Sequence, residues 1–148
     1  MKSIQIIISF FITSFFLVAC TAQPKPFVLG QDNCDFCKMS IADLKFGGEI
    51  ITHKAKVYKF DDLHCMVAFL NSGKLDEKEI KRTLTINFQQ PNNFIDVKNA
   101  WFLQSKAIHS PMGSHTAGYA SKKVATEQAG KTEGVIFNWK DLYQNLSQ

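Results

Sequence analysis

In the stretch DNCDFCKMSI, residues 32 to 41, Cys34 and Cys37 are spaced C-x-x-C and Met39 follows two residues later. Four chemistries use such a stretch: a redox dithiol, half of a zinc site, a plain disulfide, or a soft-metal hook. A redox dithiol of the thioredoxin type has its first thiol activated at a helix N-terminus, after a strand. Here no strong strand pattern precedes the cysteines, and MSIADLKFGG after them lacks a helical pattern. Structural zinc needs four ligands, usually a second pair. His53, His64, His109 and His115 do not form one, since even His109 and His115 flank Pro111 at a spacing outside H-x₃₋₅-H. A Cys34–Cys37 disulfide suits an oxidising compartment. It closes a very short loop, stabilises little, and is also a resting form for a reactive pair. The soft-metal reading uses Met39 as well, because thiolate and thioether together favour Cu(I). On an extended strand, residues i and i+2 project to one side, so Cys37 and Met39 would reach the same ion.

Met112 supplies a second sulfur arm. It lies in SPMGS, between Pro111 and Gly113 and between His109 and His115, in a loop where a core methionine is unusual. Cys65 and Met66 are different. They fall in the apolar pattern of a helix and read as core, where free cysteine behaves as a small hydrophobe.

The chain's beginning sets the compartment. Lys2 is followed by a mostly apolar run from Ile4 to Ala19. That run is an h-region, short and interrupted beside the roughly 20 apolar residues of a bilayer span. It ends in Leu17-Val18-Ala19-Cys20, the pattern of a bacterial lipobox, so residues 1–19 are expected to be a signal and Cys20 a lipidated residue. Residues 20–31, containing TAQPKP, read as a polar tether. The implied location is the bacterial cell envelope, on the outer membrane or the periplasmic face of the inner membrane. The net charge is +4, with the positive residues scattered. A nucleic-acid partner would need a concentrated basic stripe, and none is expected.

The elements that must position these sulfurs are short. EIITH and KVYKF read as a hairpin turning at His53-Lys54-Ala55. DDLHCMVAFLNSG reads as a helix capped by Asp61 or Asp62, with Leu63, Met66, Val67 and Leu70 on one face. TLTINFQ alternates as a strand, and FIDVKNAWFLQS continues as strand after a turn at residues 90–93. Ser121 caps a helix, KKVATEQAG, closed by Gly130. GVIFNW is a strand and KDLYQNL a last short helix. A strand–aromatic–cap–helix order occurs twice, with Phe60 matching Tyr119, and Met39 and Met112 opening the two parts. The expected fold is α+β: two small homologous β-β-α-β halves, residues 32–82 and 83–148, too small to be stable singly and therefore packed together.

Taken in order, the lipobox, DNCDFCKMSIADLKFGG, VYKFDDLHCMVAFL, AWFLQS, SPMGSHTAGYAS and GVIFNW resemble the NosL-type lipoproteins. These are accessory proteins of nitrous oxide reductase maturation that bind and hand over Cu(I). The resemblance spans residues 32–139 and implies the same two-half fold. It implies a non-enzymatic chaperone whose partners are a client copper enzyme, foremost nitrous oxide reductase, and its maturation machinery. It further implies Cu(I) held by Cys37, Met39 and Met112, with Cys34 as a less secure ligand outside the C-x-M pair. Lys38 departs from the pattern, which commonly has glycine between Cys and Met. The competing reading from another class is a thiol–disulfide oxidoreductase lipoprotein using Cys34 and Cys37. A third is a structural lipoprotein with an inert disulfide.

Overall fold

A computed structural model describes residues 22–148. Its first sheet contains β1 (Gly48–Thr52), β2 (Val57–Phe60), β3 (Ile80–Ile86) and β4 (Phe94–Asp96), in the order β2-β1-β3-β4. Its second sheet contains β5 (Trp101–Gln104), β6 (Thr116–Tyr119) and β7 (Val135–Phe137), in the order β6-β5-β7. All strand pairs are antiparallel. Helix α1 (Leu63–Asn71) joins β2 to β3, α2 (Lys122–Thr132) joins β6 to β7, and α3 (Trp139–Leu146) follows β7.

The β-β-α-β repeat is therefore real, and the two units share their strand order: β2-β1-β3 in one, β6-β5-β7 in the other. Register repeats too. Gly48 at the start of β1 faces Phe60 at the end of β2, as Trp101 at the start of β5 faces Tyr119 at the end of β6. Each crossover helix is capped by a side chain, Asp62 accepting from the His64 N–H and Ser121 from the Val124 N–H. β4 is an addition to the first unit, and β3 runs through the 82/83 division, so the first sheet extends to Asp96.

Several expectations need correction. FIDVKNAWFLQS is not one strand. The Asp96 carboxylate accepts from the Lys98 N–H at 3.1 Å and its carbonyl from the Asn99 N–H at 2.9 Å, turning the chain into the other sheet. Gly130 does not close α2, which runs to Thr132 and ends on Glu133 in the left-handed region. Met39 and Met112 are not equivalent in the repeat, because Met39 precedes β1 whereas Met112 lies between β5 and β6. Residues Lys25–Phe27 are held on the body: Phe27 is buried with Ile41 and Ile86, and its N–H donates to Asn92 at 2.7 Å.

Most of the core lies under α1, where Leu63, Cys65, Met66, Val67 and Phe69 are buried. Phe60 and Phe102, one from each sheet, belong to the same cluster with no exposed surface. Each large apolar side chain so buried contributes on the order of 1.5–3 kcal/mol. The seam between the sheets is narrow. Asn87 and Gly118 form a parallel bridge, and the Phe88 N–H donates to the Gly118 carbonyl at 2.8 Å. A Cβ on Gly118 would stand 2.8 Å from the Thr85 hydroxyl, so the close approach requires glycine.

Candidate metal centre

The C-x-x-C segment is a tight loop rather than a strand. The Cys34 N–H donates to the Met39 carbonyl at 2.8 Å, and the Lys38 N–H to the Cys34 carbonyl at 2.9 Å. Asn33 and Ser40 close the loop as an antiparallel bridge, with the Ser40 hydroxyl donating to the Asn33 side chain at 3.1 Å. This folding needs a left-handed residue, and Lys38 takes it with φ of 66°. Glycine adopts that conformation without steric cost, which gives a physical reason for glycine between Cys and Met. The expectation that Cys37 and Met39 share one face of an extended strand is thus incorrect.

The loop sits on the outer edge of β2. The Asp35 N–H donates to the Lys59 carbonyl at 2.7 Å, and the Lys59 N–H returns a bond to the Asp35 carboxylate at 2.8 Å. Lys59 also pairs with Asp32 at 2.7 Å. β2 then runs into Asp61, into the cap Asp62, and into the first turn of α1, which carries Cys65. Strand edge and helix start thereby bring three cysteines and a carboxylate together. The ligand atoms of Cys34, Cys37, Asp61 and Cys65 all lie within 4.8 Å of one another. Cys34, Cys65 and Asp61 are buried, Cys37 is half-buried, and its sulfur is 3.9 Å from Asp61 Oδ1.

The electrostatics of this cluster are uneven. A hydrogen bond from Cys65 brings the Cys34 thiol down to about 4, against burial, and the backbone N–H groups of Asp61, Cys37 and Phe36 assist. The same Cys34–Cys65 bond, then burial, pushes Cys65 up. Burial raises Cys37. Burial, followed by the neighbouring Cys34, pushes the Asp61 carboxyl up to about 7. The cluster therefore concentrates negative charge on Cys34, inside a nest of backbone donors that favours an anion.

Met39 and Met112 stand outside it, 58% and 36% exposed. Met112 is nonetheless tied to the same corner. The Met112 and Ser114 N–H groups donate to Asp62 Oδ2 at 2.9 and 3.5 Å, while Asp62 Oδ1 caps α1 through the His64 N–H at 2.9 Å. One aspartate thus fixes the start of α1 and the P-M-G loop of the other half. Among the described residues neither His109 nor His115 joins the cluster, and the His115 Nδ1 is engaged at 2.7 Å with the Ile108 carbonyl. Asp61 and Cys65 were not anticipated as site residues. The available signal was the i, i+4 placement of Asp61 and Cys65 across a helix start, directly after the strand that the C-x-x-C loop edges. Cys20 lies outside the described residues.

A family model for NosL matches residues 27–147. The chain belongs to the NosL family. No curated protein matches it. Among solved structures, the crystal structure of the copper chaperone NosL from Shewanella denitrificans matches with a TM-score of 0.70 at 21% identity, covering 81% of this chain and 95% of that one. The two-sheet fold of this NosL-family chain is therefore the fold of that protein. Among the described residues no helix is long and apolar enough to cross a membrane.

Proposed function

We propose that this chain is a membrane-anchored Cu(I) metallochaperone that delivers copper to an exported copper enzyme, with nitrous oxide reductase the foremost client. The observation that carries this reading is the position of Cys37. It is half-buried, with the thiols of Cys34 and Cys65 on its inner side. Its own loop carries the exposed Met39, and Asp62, the neighbour of Asp61, anchors the loop carrying exposed Met112. Cys37, Met39 and Met112 are the delivery ligands: soft, accessible, and few enough that a partner can displace them. The family relationship and the named function of the Shewanella protein support the same reading. Cys20 is the lipid attachment point, on the outer membrane or the periplasmic face of the inner membrane.

The dithiol oxidoreductase reading fits less well. An attacking thiol must be accessible and readily ionised. Here the low thiol, Cys34, has no exposed surface, while the reachable Cys37 is raised by burial. Titration of the reduced chain against a chromogenic Cu(I) chelator tests the proposal. The chain should withdraw Cu(I) from the chelator, and the Cys37→Ser variant should lose most of that capacity. A reduced, folded chain that withdraws none is not a copper carrier.

A further inference from the structure

Cys37 clusters with Cys34, Asp61 and Cys65, and the delivery set of Cys37, Met39 and Met112 uses only one thiolate. Cys34 and Cys65 are buried, and their sulfurs lie within 4.8 Å of each other. Two thiolates each about 2.3 Å from a d¹⁰ ion lie between about 3.8 Å apart in tetrahedral geometry and about 4.6 Å in linear geometry. The donor atoms of Cys34, Cys37, Cys65 and Asp61 fall within 4.8 Å of one another, so an ion needs only small shifts to bind there. The surroundings also suit an anionic thiolate–Cu(I) unit. Cys65 lies in the first turn of α1, where the helix favours negative charge.

Resting on the chaperone reading, we propose that the chain holds Cu(I) at two positions sharing Cys37: an outer delivery position with Met39 and Met112, and an inner storage position with Cys34 and Cys65. Asp61, an oxygen donor, does not ligate Cu(I). It accepts hydrogen bonds at the rim of the inner position. Movement between positions is ligand exchange and no electron moves. Inward, the two thioethers leave copper, the Cys34 thiolate binds, and the Cys65 sulfur binds as its thiol releases one proton to Asp61 or water. Outward, that proton returns to Cys65. Because thiolates hold Cu(I) more strongly than thioethers, the inner position fills first, and the outer one fills when a second equivalent is added.

The test uses the reduced full chain with every methionine replaced by selenomethionine, followed by X-ray absorption at the copper edge. With one equivalent of Cu(I), the expected copper environment contains sulfur and no selenium. Copper–selenium scattering should appear with the second equivalent. Selenium scattering at the first equivalent, at full strength, overturns the inner position while leaving the chaperone reading intact. Failure of the parent chain to bind any Cu(I) removes the chaperone reading itself. A Cys65→Ser variant, shown folded by circular dichroism, should lose about tenfold or more in Cu(I) affinity and show selenium scattering from the first equivalent. Parent-like affinity and scattering in that variant also overturn the proposal. A Met39→Ala, Met112→Ala double variant should keep the affinity for the first equivalent but release it to a chelator more slowly. Loss of that affinity places the tight site at the methionines and defeats the two-position scheme.

Discussion

Glu49 gives a pH dependence of stability that can be worked from its surroundings. It is the second residue of β1, opposite Lys59 on β2 and Leu84 on β3, with no exposed surface. Its carboxylate accepts the Lys25 N–H at 3.1 and 3.2 Å. Of the two ammonium groups that act on it, Lys59 and Lys25, Lys59 is already paired with Asp32 at 2.7 Å. Burial pushes the Glu49 carboxyl from its ordinary 4.5 up to about 7. The folded chain therefore binds this proton more tightly than the unfolded chain does. Glu49's contribution is fully present below its unfolded value and is lost as pH rises through about 7. At about 1.4 kcal/mol per unit, the whole window amounts to about 3.5 kcal/mol, of which about 2.5 kcal/mol falls between pH 5 and pH 8.

Glu49→Gln removes the charge and keeps an oxygen for the Lys25 N–H. It also adds a buried amide donor whose cost does not change with pH. The pH-dependent difference is therefore the measure, not the absolute stability at one pH. Urea unfolding of the variant and the parent should show the variant gaining on the parent by about 2.5 kcal/mol between pH 5 and pH 8. Asp61 has the same sign, its carboxyl raised to about 7 by burial and Cys34, but it is present in both chains and cancels. Parallel stability–pH curves for the two chains would refute the reasoning, because they would mean that Glu49 ionises in the folded chain as it does in the unfolded one.

Lys38→Gly should raise thermal stability by up to about 1 kcal/mol, by relieving a left-handed non-glycine residue; an unchanged or lowered melting temperature rejects the strain. Asp62→Ala should cost about 1–2 kcal/mol through the lost cap alone, whereas Asp62→Asn keeps a capping oxygen. Both variants should speed amide exchange at Met112 and Ser114, whose N–H groups Asp62 now accepts, and parent-like protection there would contradict this link between the halves. Cys20→Ser should leave the protein in the soluble fraction or unprocessed; normal processing with membrane retention would refute lipidation at that position.

How much of this was legible in the sequence depended on the range of the interaction. Local signals carried far. The Asp62 and Ser121 caps, the apolar face of α1, and the match of Phe60 to Tyr119 all rest on neighbours within a few residues, and the duplicated β-β-α-β order followed from them. The break in FIDVKNAWFLQS was hidden because its residues favour extended structure on both sides of the turn. What decides it is the Asp96 side chain bonding to the backbone two residues on, an alternative that Asp always offers and a strand pattern does not reveal.

The site shows the same division more sharply. Met112 was visible because an apolar side chain between Pro and Gly in a loop has no core to fill, and Met39 because it follows Cys37 by two residues; both are exposed. Cys65 was invisible for the opposite reason. It satisfies the helix pattern completely and is buried as that pattern requires. Nothing in a helical period distinguishes a cysteine packed against leucine from one packed against another cysteine. That distinction is set by which segment covers the start of α1. The covering segment is the Cys34–Ser40 loop, held on β2 by the paired bonds between Asp35 and Lys59. The loop and the helix start are joined in sequence only through β1 and β2. Cys34 and Cys65 therefore meet because the loop lies along the β2 edge and β2 delivers the chain into α1. Burial as core and membership of the candidate metal centre are then the same fact about Cys65, since a thiol enclosed with two others is a packed side chain that also offers a soft donor atom.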